Sequence, residues 1–324
     1  MIITRTPYRV SMFGGGTDHP KWFNENGGSV VSFSIDKYCY ITLRELPPFF
    51  SHKFRIAYSK VETTDSVEQI LHPAVREAFK KYASGSKLEL HHHGDLPAQS
   101  GVGSSSAFAV GLIKSLYAIN GKDIDGYRLA DEAIDFEQKD LLETVGSQDQ
   151  IACALGGINQ IQFNSKNVWK INKIKLDSEY IKGIESRIVL IYSGISRFSS
   201  DISKGLLDNL ETKSQLMNRT KDLADEFNKL LTMKGDLNLV SDMLKESWSI
   251  KKDLNPFSIT PELDSFYQSA LLKGAQAGKV LGAGGGGFFL FWVDPENRDS
   301  FIKKMSPLVY VPISISFEGS TRIL

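Results

Sequence analysis

The chain has 324 residues, enough for one large domain or two ordinary ones with cores of their own. Lys plus Arg and Asp plus Glu number 38 each, so no overall field draws the molecule to nucleic acid or to an anionic membrane. A charged substrate would have to be met by a local basic cluster. The longest apolar runs, such as Phe288 to Val293, are far shorter than a membrane span, and MIITRTPYRVSMF lacks the layout of a secretion signal. Two cysteines, Cys39 and Cys153, sit among apolar neighbours and read as reduced core residues, so a cytoplasmic location is expected.

In chain order, the stretches Ser29 to Ile35, Tyr38 to Leu46 and Phe54 to Ser59 are β-branched and aromatic, separated by turn residues, and predict strands. A helix is expected over Pro73 to Tyr82 and a strand over Lys87 to His93. A Gly/Ser loop then leads into a long apolar helix from Ser105 to Ile119, and a second long helix spans Gly126 to Glu143. Ser147 with Gln150 has the spacing of a capping box opening a third helix, which Gly156 and Gly157 end before a strand at Ile158 to Phe163. The polar stretch Asn164 to Asn172 and the irregular run to Gly183 predict a domain boundary.

The second half opens with a strand at Ile188 to Tyr192. Helices are expected near Asp201 to Leu210, Lys213 to Thr232, Leu237 to Ile250 and Pro261 to Gly278. Strands at Val280 to Leu281 and Phe288 to Val293, a helix near Arg298 to Met305 and a final strand complete an α+β pattern, divided as 1–180 and 181–324.

Three glycine-dense loops punctuate the chain: Gly14-Gly15-Gly16, Gly101-Val102-Gly103-Ser104-Ser105-Ser106, and Gly282 to Gly287. Each could be a tight turn; three together point to a ligand approached by backbone amides. Gly282, Gly284 and Gly287 match dinucleotide-fingerprint spacing, but a helix upstream and a strand-like run downstream are the wrong context. The middle loop runs directly into a helix, so its amides and the positive helix end face one spot suited to phosphate. No Lys follows its last glycine, so it is not a Walker A loop, and a metal ion is the usual source of the missing positive charge.

The segment Pro97 to Ala107, PAQSGVGSSSA, resembles the second signature of the GHMP kinases. Pro7-Tyr8-Arg9-Val10-Ser11 running to Gly15-Gly16-Thr17-Asp18 is similar to the first, and Lys279 to Gly287 is similar to the third. The resemblance spans the whole chain. It implies ATP as phosphate donor, Mg²⁺ as metal, an N-terminal ribosomal protein S5 domain 2-like unit and a C-terminal ferredoxin-like α/β sandwich. Gly101, Val102, Gly103, Ser104, Ser105 and Ser106 would then hold ATP.

Two carboxylates stand out. Glu137 interrupts the apolar stripe of Ala130, Ile134 and Leu141, with no Lys or Arg at helical spacing; a stripe-edge residue reaching solvent is the plain alternative. The resemblance makes it a Mg²⁺ ligand together with Ser105, a register that Ser104 and Ser106 leave open by one. Asp149, read from pattern alone, is a first-turn acid favouring the helix dipole. By resemblance it is the catalytic base that takes the proton of a sugar hydroxyl, with Arg9 stabilising its charged form.

Thr17 and Asp18, otherwise turn-capping residues, match substrate-binding positions of sugar-kinase members, and Gly16, Gly284 and Gly285 are expected to bind substrate with them. Gly15-Gly16 stands where galactokinases carry Glu-His. His91-His92-His93 lies in a strand pattern, where alternate side chains diverge, and reads as structural.

Finer matches, including Phe13 to Asp18, Ile35 to Tyr40, Leu46 to Phe50 and Ser193 to Arg197, resemble the bacterial heptose kinase branch of the family. That likeness implies a sugar phosphate as the small-molecule partner, a heptose 7-phosphate phosphorylated at its anomeric hydroxyl. Arg197 would meet the 7-phosphate, with Lys37 and Arg55 as further candidates. A kinase for an unphosphorylated sugar such as fucose and a non-catalytic sugar sensor remain alternatives. The oligomeric state, homodimer included, stays open.

Overall fold

A computed structural model of the chain describes every residue except 84, 166–167, 196–212 and 256–257. The helix expected near Asp201 to Leu210, and Arg197 with it, lie outside the described residues.

The first sheet is organised on one long strand. β1 (Ile2–Phe13) leads through helix α1 (Pro20–Asn26) into β2 (Gly28–Glu45), antiparallel to it. The two strands expected at Ser29 to Ile35 and Tyr38 to Leu46 are this single strand with a bulge. Tyr8 pairs with Ile35 while Pro7 pairs with Tyr38, so Asp36 and Lys37 are extra residues opposite a proline that has no N–H to offer.

β3 (Phe54–Ala57) and β4 (Val61–Thr64) form an edge hairpin. β5 (Leu88–Gly94) pairs along the second half of β2 and is parallel to β3; β6 (Ile158–Phe163) pairs along the first half. β7 (Trp169–Lys173) pairs with β6, so the polar stretch expected to open a domain boundary contributes a strand.

Helices α2 (Pro73–Tyr82), α3 (Ser104–Ile119), α4 (Gly126–Asp135) and α5 (Gln148–Leu155) belong with this sheet. The second long helix predicted from Gly126 to Glu143 is α4 followed by a π-helical turn at Phe136–Asp140, a departure from α geometry that recurs at functional sites. α3 is apolar almost all round, and its residues from Ser106 to Ile113 are buried.

After α6 (Ser178–Arg187) the chain enters a second sheet: β8 (Ile188–Tyr192), β9 (Ala275–Val280), β10 (Phe288–Val293) and β11 (Tyr310–Val311), in the order β11-β8-β10-β9. α7 (Ser214–Thr232) follows but packs on β1 and β2 of the first sheet and against α8 (Leu239–Leu254), whereas α8, α9 (Pro261–Lys273) and α10 (Arg298–Met305) go with the second sheet.

The helix expected to run to Gly278 stops at Lys273, because Gly274 adopts φ +119°, a left-handed stop that suits glycine. The next residues, Ala275–Val280, pair antiparallel to β10. A strand therefore does precede Gly282. The dinucleotide reading still fails, because an antiparallel strand and no helix comes after the loop.

The fold is α+β with two helix-backed sheets, as expected. Alternate residues of β10 divide the second sheet between two cores. Phe288, Leu290 and Trp292 join the apolar cluster that includes Val10 and Phe13, while Phe289, Phe291 and Val293 pack with Phe301 and Trp248. α6 runs through the division expected at residue 180, and later elements reach back across it to the first sheet. On α7, Asp225 accepts hydrogen bonds from Ser29 Oγ at 2.6 Å and Gln160 Nε2 at 2.8 Å, on the first sheet. β12 (Thr321–Arg322) pairs with β1.

Candidate active site

The middle glycine loop delivers the chain to α3 with Gly103 in a left-handed conformation and no side chain capping the helix start. The first amides of any helix lack internal partners, so the spot ahead of Ser104 is built for an anion. The loop is fixed from behind. Arg9 N–H donates to Val102 O at 3.0 Å, and a Cβ on Gly101 would sit 2.4 Å from Leu281 O, at the start of the third glycine loop. The second and third glycine loops therefore press against each other, and both line one cavity of about 260 Å³.

Arg9, on β1, reaches across this cavity to Asp149 at the start of α5. Its Nε donates to Asp149 Oδ1 at 2.7 Å and its Nη2 to Oδ2 at 2.5 Å, while Nη1 donates to Gly101 O at 2.6 Å. Burial opposes the charge on Arg9, but the Asp149 carboxylate outweighs it and holds the guanidinium protonated. A two-pronged pair fixes the plane of the carboxylate while leaving lone pairs free for a further hydroxyl.

The expected capping box is absent. Ser147 makes no side-chain cap; its Oγ accepts from Gln138 Nε2 at 3.1 Å, and Gln150 turns instead to Glu137. Asp18 takes over, accepting the Gln148 N–H at 3.2 Å and the Gly16 N–H at 2.9 Å. Asp18 and Gly16 line the cavity, as do Gly284 and Ser104 to Ser106. Thr17 does not: its hydroxyl is spent inside the turn on Gly14 O at 2.8 Å and Ser29 O at 3.1 Å. Gly285 is also off the wall, its N–H donating to Ser258 O at 2.7 Å.

Glu137 is fully buried on the π-helical turn. Ser106 Oγ donates to its Oε2 at 2.8 Å and Gln150 Nε2 donates to the same atom. Burial, reinforced by the charge of Glu143, pushes its pKa up to about 8 against these two hydrogen bonds. Its other oxygen, Oε1, is buried without a partner, as a ligand awaiting a cation would be. The serine that touches Glu137 is Ser106; Ser105, expected beside it, points its exposed side chain to the cavity.

Mg²⁺ fits this arrangement: Glu137 Oε1 and a serine hydroxyl of the loop would hold it. When bound it would neutralise charge on the transferred phosphate. No group of three or more His, Cys, Asp or Glu side chains among the described residues could hold a metal ion without other ligands.

Sequence reasoning missed several residues on the wall. Ser11 Oγ and Gln148 Oε1 are buried polar atoms on the wall without hydrogen-bond partners. Lys251 and Lys279 also line the cavity. Lysine on a helix reads as a solvated face, so only packing could have revealed Lys251. Lys37 and Arg55 are elsewhere: Lys37 is bound to Asp36, and Arg55 to Glu89 and His91 on β5. His91 takes part in that ion cluster around Glu89.

A cavity joining an uncapped helix start, a fixed carboxylate and a glycine loop from a second sheet is the layout of a small-molecule phosphotransferase. The chain matches the model of the GHMP kinases N terminal domain over residues 69–157 and that of the GHMP kinases C terminal domain over 224–310. It is 30% identical over 319 residues to the D-glycero-alpha-D-manno-heptose 7-phosphate kinase of Campylobacter jejuni, covering 94% of this chain and 93% of that one. It is 23% identical over 320 residues to the bifunctional fucokinase/GDP-fucose pyrophosphorylase of Arabidopsis thaliana, covering 88% of this chain and 29% of that one. Among solved structures, a D-glycero-D-manno-heptose 1-phosphate kinase from Bacteroides thetaiotaomicron shares the fold, with TM-score 0.82 and 24% identity, covering 100% and 99% of the two chains.

The chain belongs to the GHMP kinase family. Within it, the protein is a sugar kinase, with ATP the donor that the family implies. No helix among the described residues is long and apolar enough to cross a membrane.

Proposed function

We propose that the protein transfers the γ-phosphate of ATP to the anomeric hydroxyl of D-glycero-D-manno-heptose 7-phosphate, giving the 1,7-bisphosphate that feeds GDP-heptose synthesis for surface polysaccharide. The observation that carries the reaction class is the Arg9-fixed carboxylate of Asp149 facing the same cavity as the uncapped start of α3. The acceptor is inferred from the Campylobacter relative's name.

In this reading the amides of Gly101 to Ser106 and the helix start receive the nucleotide phosphates. Asp149 accepts the proton of the sugar hydroxyl as its oxygen bonds to the γ-phosphorus; the bond to the bridging oxygen breaks and ADP leaves. Arg9 keeps the carboxylate oriented. Asp18, Gly16, Ser11 and Gln148 face the sugar, and Glu137 with a serine hydroxyl of the loop would hold Mg²⁺.

The test is ADP release with Mg²⁺-ATP against heptose 7-phosphate, mannose 6-phosphate, fucose and galactose, with products identified by mass and phosphorus NMR. Selective formation of a 1,7-bisphosphate supports the proposal. Turnover of fucose alone keeps the reaction and overturns the acceptor; nucleotide binding without turnover of any sugar leaves the sensor reading in its place.

A further inference from the structure

Two cations on the cavity wall have no carboxylate partner among the described residues. Lys279, the penultimate residue of β9, is only 8% exposed; its ammonium donates to Met12 O at 2.8 Å and lies 6.0 Å from the centre of the Phe13 ring. Lys251, partly buried on α8, donates to Gly282 O at 2.6 Å and to Val280 O at 3.3 Å. An ammonium carries three donors, so each keeps capacity for another acceptor. A third cation of the cavity among the described residues, Arg9, is already matched by Asp149.

The three charges feel one another. Burial, then the charges of Lys251 and Arg9, pull Lys279 down to about 7, and burial with Arg9 pulls Lys251 to about 8. Placing unpaired cations together in a partly desolvated cavity is costly unless an anion completes the set. A phosphate dianion has the charge and the acceptor oxygens to do so.

Two phosphates could arrive there, one from the nucleotide and one from the acceptor. The nucleotide already has the loop amides and the start of α3. Lys279 instead grips Met12, next to the first glycine turn, which carries Gly16 and Asp18.

Resting on the acceptor being a sugar phosphate, we propose that Lys251 and Lys279 together form the receptor for the phosphate carried by the acceptor sugar. They hold the far end of that substrate while its reacting hydroxyl lies at Asp149. Both lysines are specificity residues, selecting phosphorylated over plain sugars.

The experiment compares wild type with Lys279→Met and Lys251→Met, measuring KM for heptose 7-phosphate, kcat/KM for the same heptose without phosphate, and KM for ATP. Each variant should raise KM for the sugar phosphate about tenfold or more, the scale of losing a charged hydrogen bond. Activity toward the plain heptose and KM for ATP should stay near wild type. A rise in KM for ATP instead assigns the lysines to the nucleotide, and equal losses for both sugars make them tethers of the glycine loops; either outcome overturns the receptor. If Lys279→Met does not fold, Lys251→Met and inorganic phosphate decide: in wild type, phosphate must compete with the sugar phosphate and not with ATP. A wild-type enzyme that turns over only unphosphorylated sugars sinks the acceptor assignment, and the receptor with it, before any variant is made.

Discussion

The carboxylate of Asp18 accepts the backbone N–H of Gln148 at 3.2 Å, a contact across 130 residues of chain. It ties the first glycine turn to the opening of the helix that carries Asp149, the next residue. The same carboxylate holds Gly16 N–H, so the first glycine turn and the start of the helix bearing Asp149 share one support.

Replacing Asp18 by Asn therefore acts on chemistry more than on affinity. It weakens the support for α5 without emptying the site, and small misplacements of reacting groups are expensive in rate. We expect kcat to fall about tenfold, a change of about 1.4 kcal/mol in barrier, with KM for ATP unchanged. Steady-state kinetics decide it; a rise in sugar KM at constant kcat would mean that Asp18 serves the sugar alone and gives the helix start no support that matters to the chemistry.

Asp149→Asn should leave nucleotide and sugar binding in place and lower kcat by about a thousandfold, within the range for loss of a positioned base. Isothermal titration and single-turnover assays separate the two. Unchanged turnover would remove Asp149 from the base role and leave it as the anchor of Arg9.

Glu137 gives a pH signature to stability. Its folded pKa near 8 lies above the ordinary carboxylate value of 4.5, so between those pH values the unfolded chain has released a proton that the metal-free fold retains. Stability then falls as pH rises through that window and levels off above it. Glu137→Gln removes this slope. Thermal melts in chelator from pH 5 to 9 should converge at low pH and separate by a few kcal/mol in the variant's favour at high pH. Parallel curves would mean that Glu137 is ionised in the fold.

Gly101 and Gly121 form a matched pair of substitutions. Both have positive φ, +84° and +70°, but a Cβ at Gly101 would press on Leu281 O while one at Gly121 meets nothing within 4 Å. Gly121→Ala should cost about 1 kcal/mol, the backbone term alone. Gly101→Ala should cost about 3 kcal/mol or more and most of the activity, because the third loop must move. Equal losses in urea melts would show that the contact between the loops carries nothing.

Elements whose signals are local were legible in the sequence. α2 runs from Pro73 to Tyr82 and β6 from Ile158 to Phe163, as their patterns predict. Long-range partners defeated the rest. Ser147 and Gln150 have capping-box spacing, yet Gln138 and Glu137 claim them and a carboxylate from the other end of the domain supports the helix start. Ala275 to Lys279 has no β-branched residue; pairing with β10 makes it a strand. The glycine loops, Arg9 and Asp149 could be found from motif resemblance. Lys251 could not, because its inward course depends on Gly282 O, a group brought to it by the packing of α8 on β9.

The contact of Gly101 with Leu281 and Gly282 also bears on how the two ligands know of each other. The second glycine loop, which in our proposal receives the nucleotide, and the loop from the second sheet share a backbone surface with no side chain between them, so ordering one restricts the other. Thermodynamic linkage then requires reciprocity: whatever factor the sugar lends to nucleotide affinity, the nucleotide returns to the sugar.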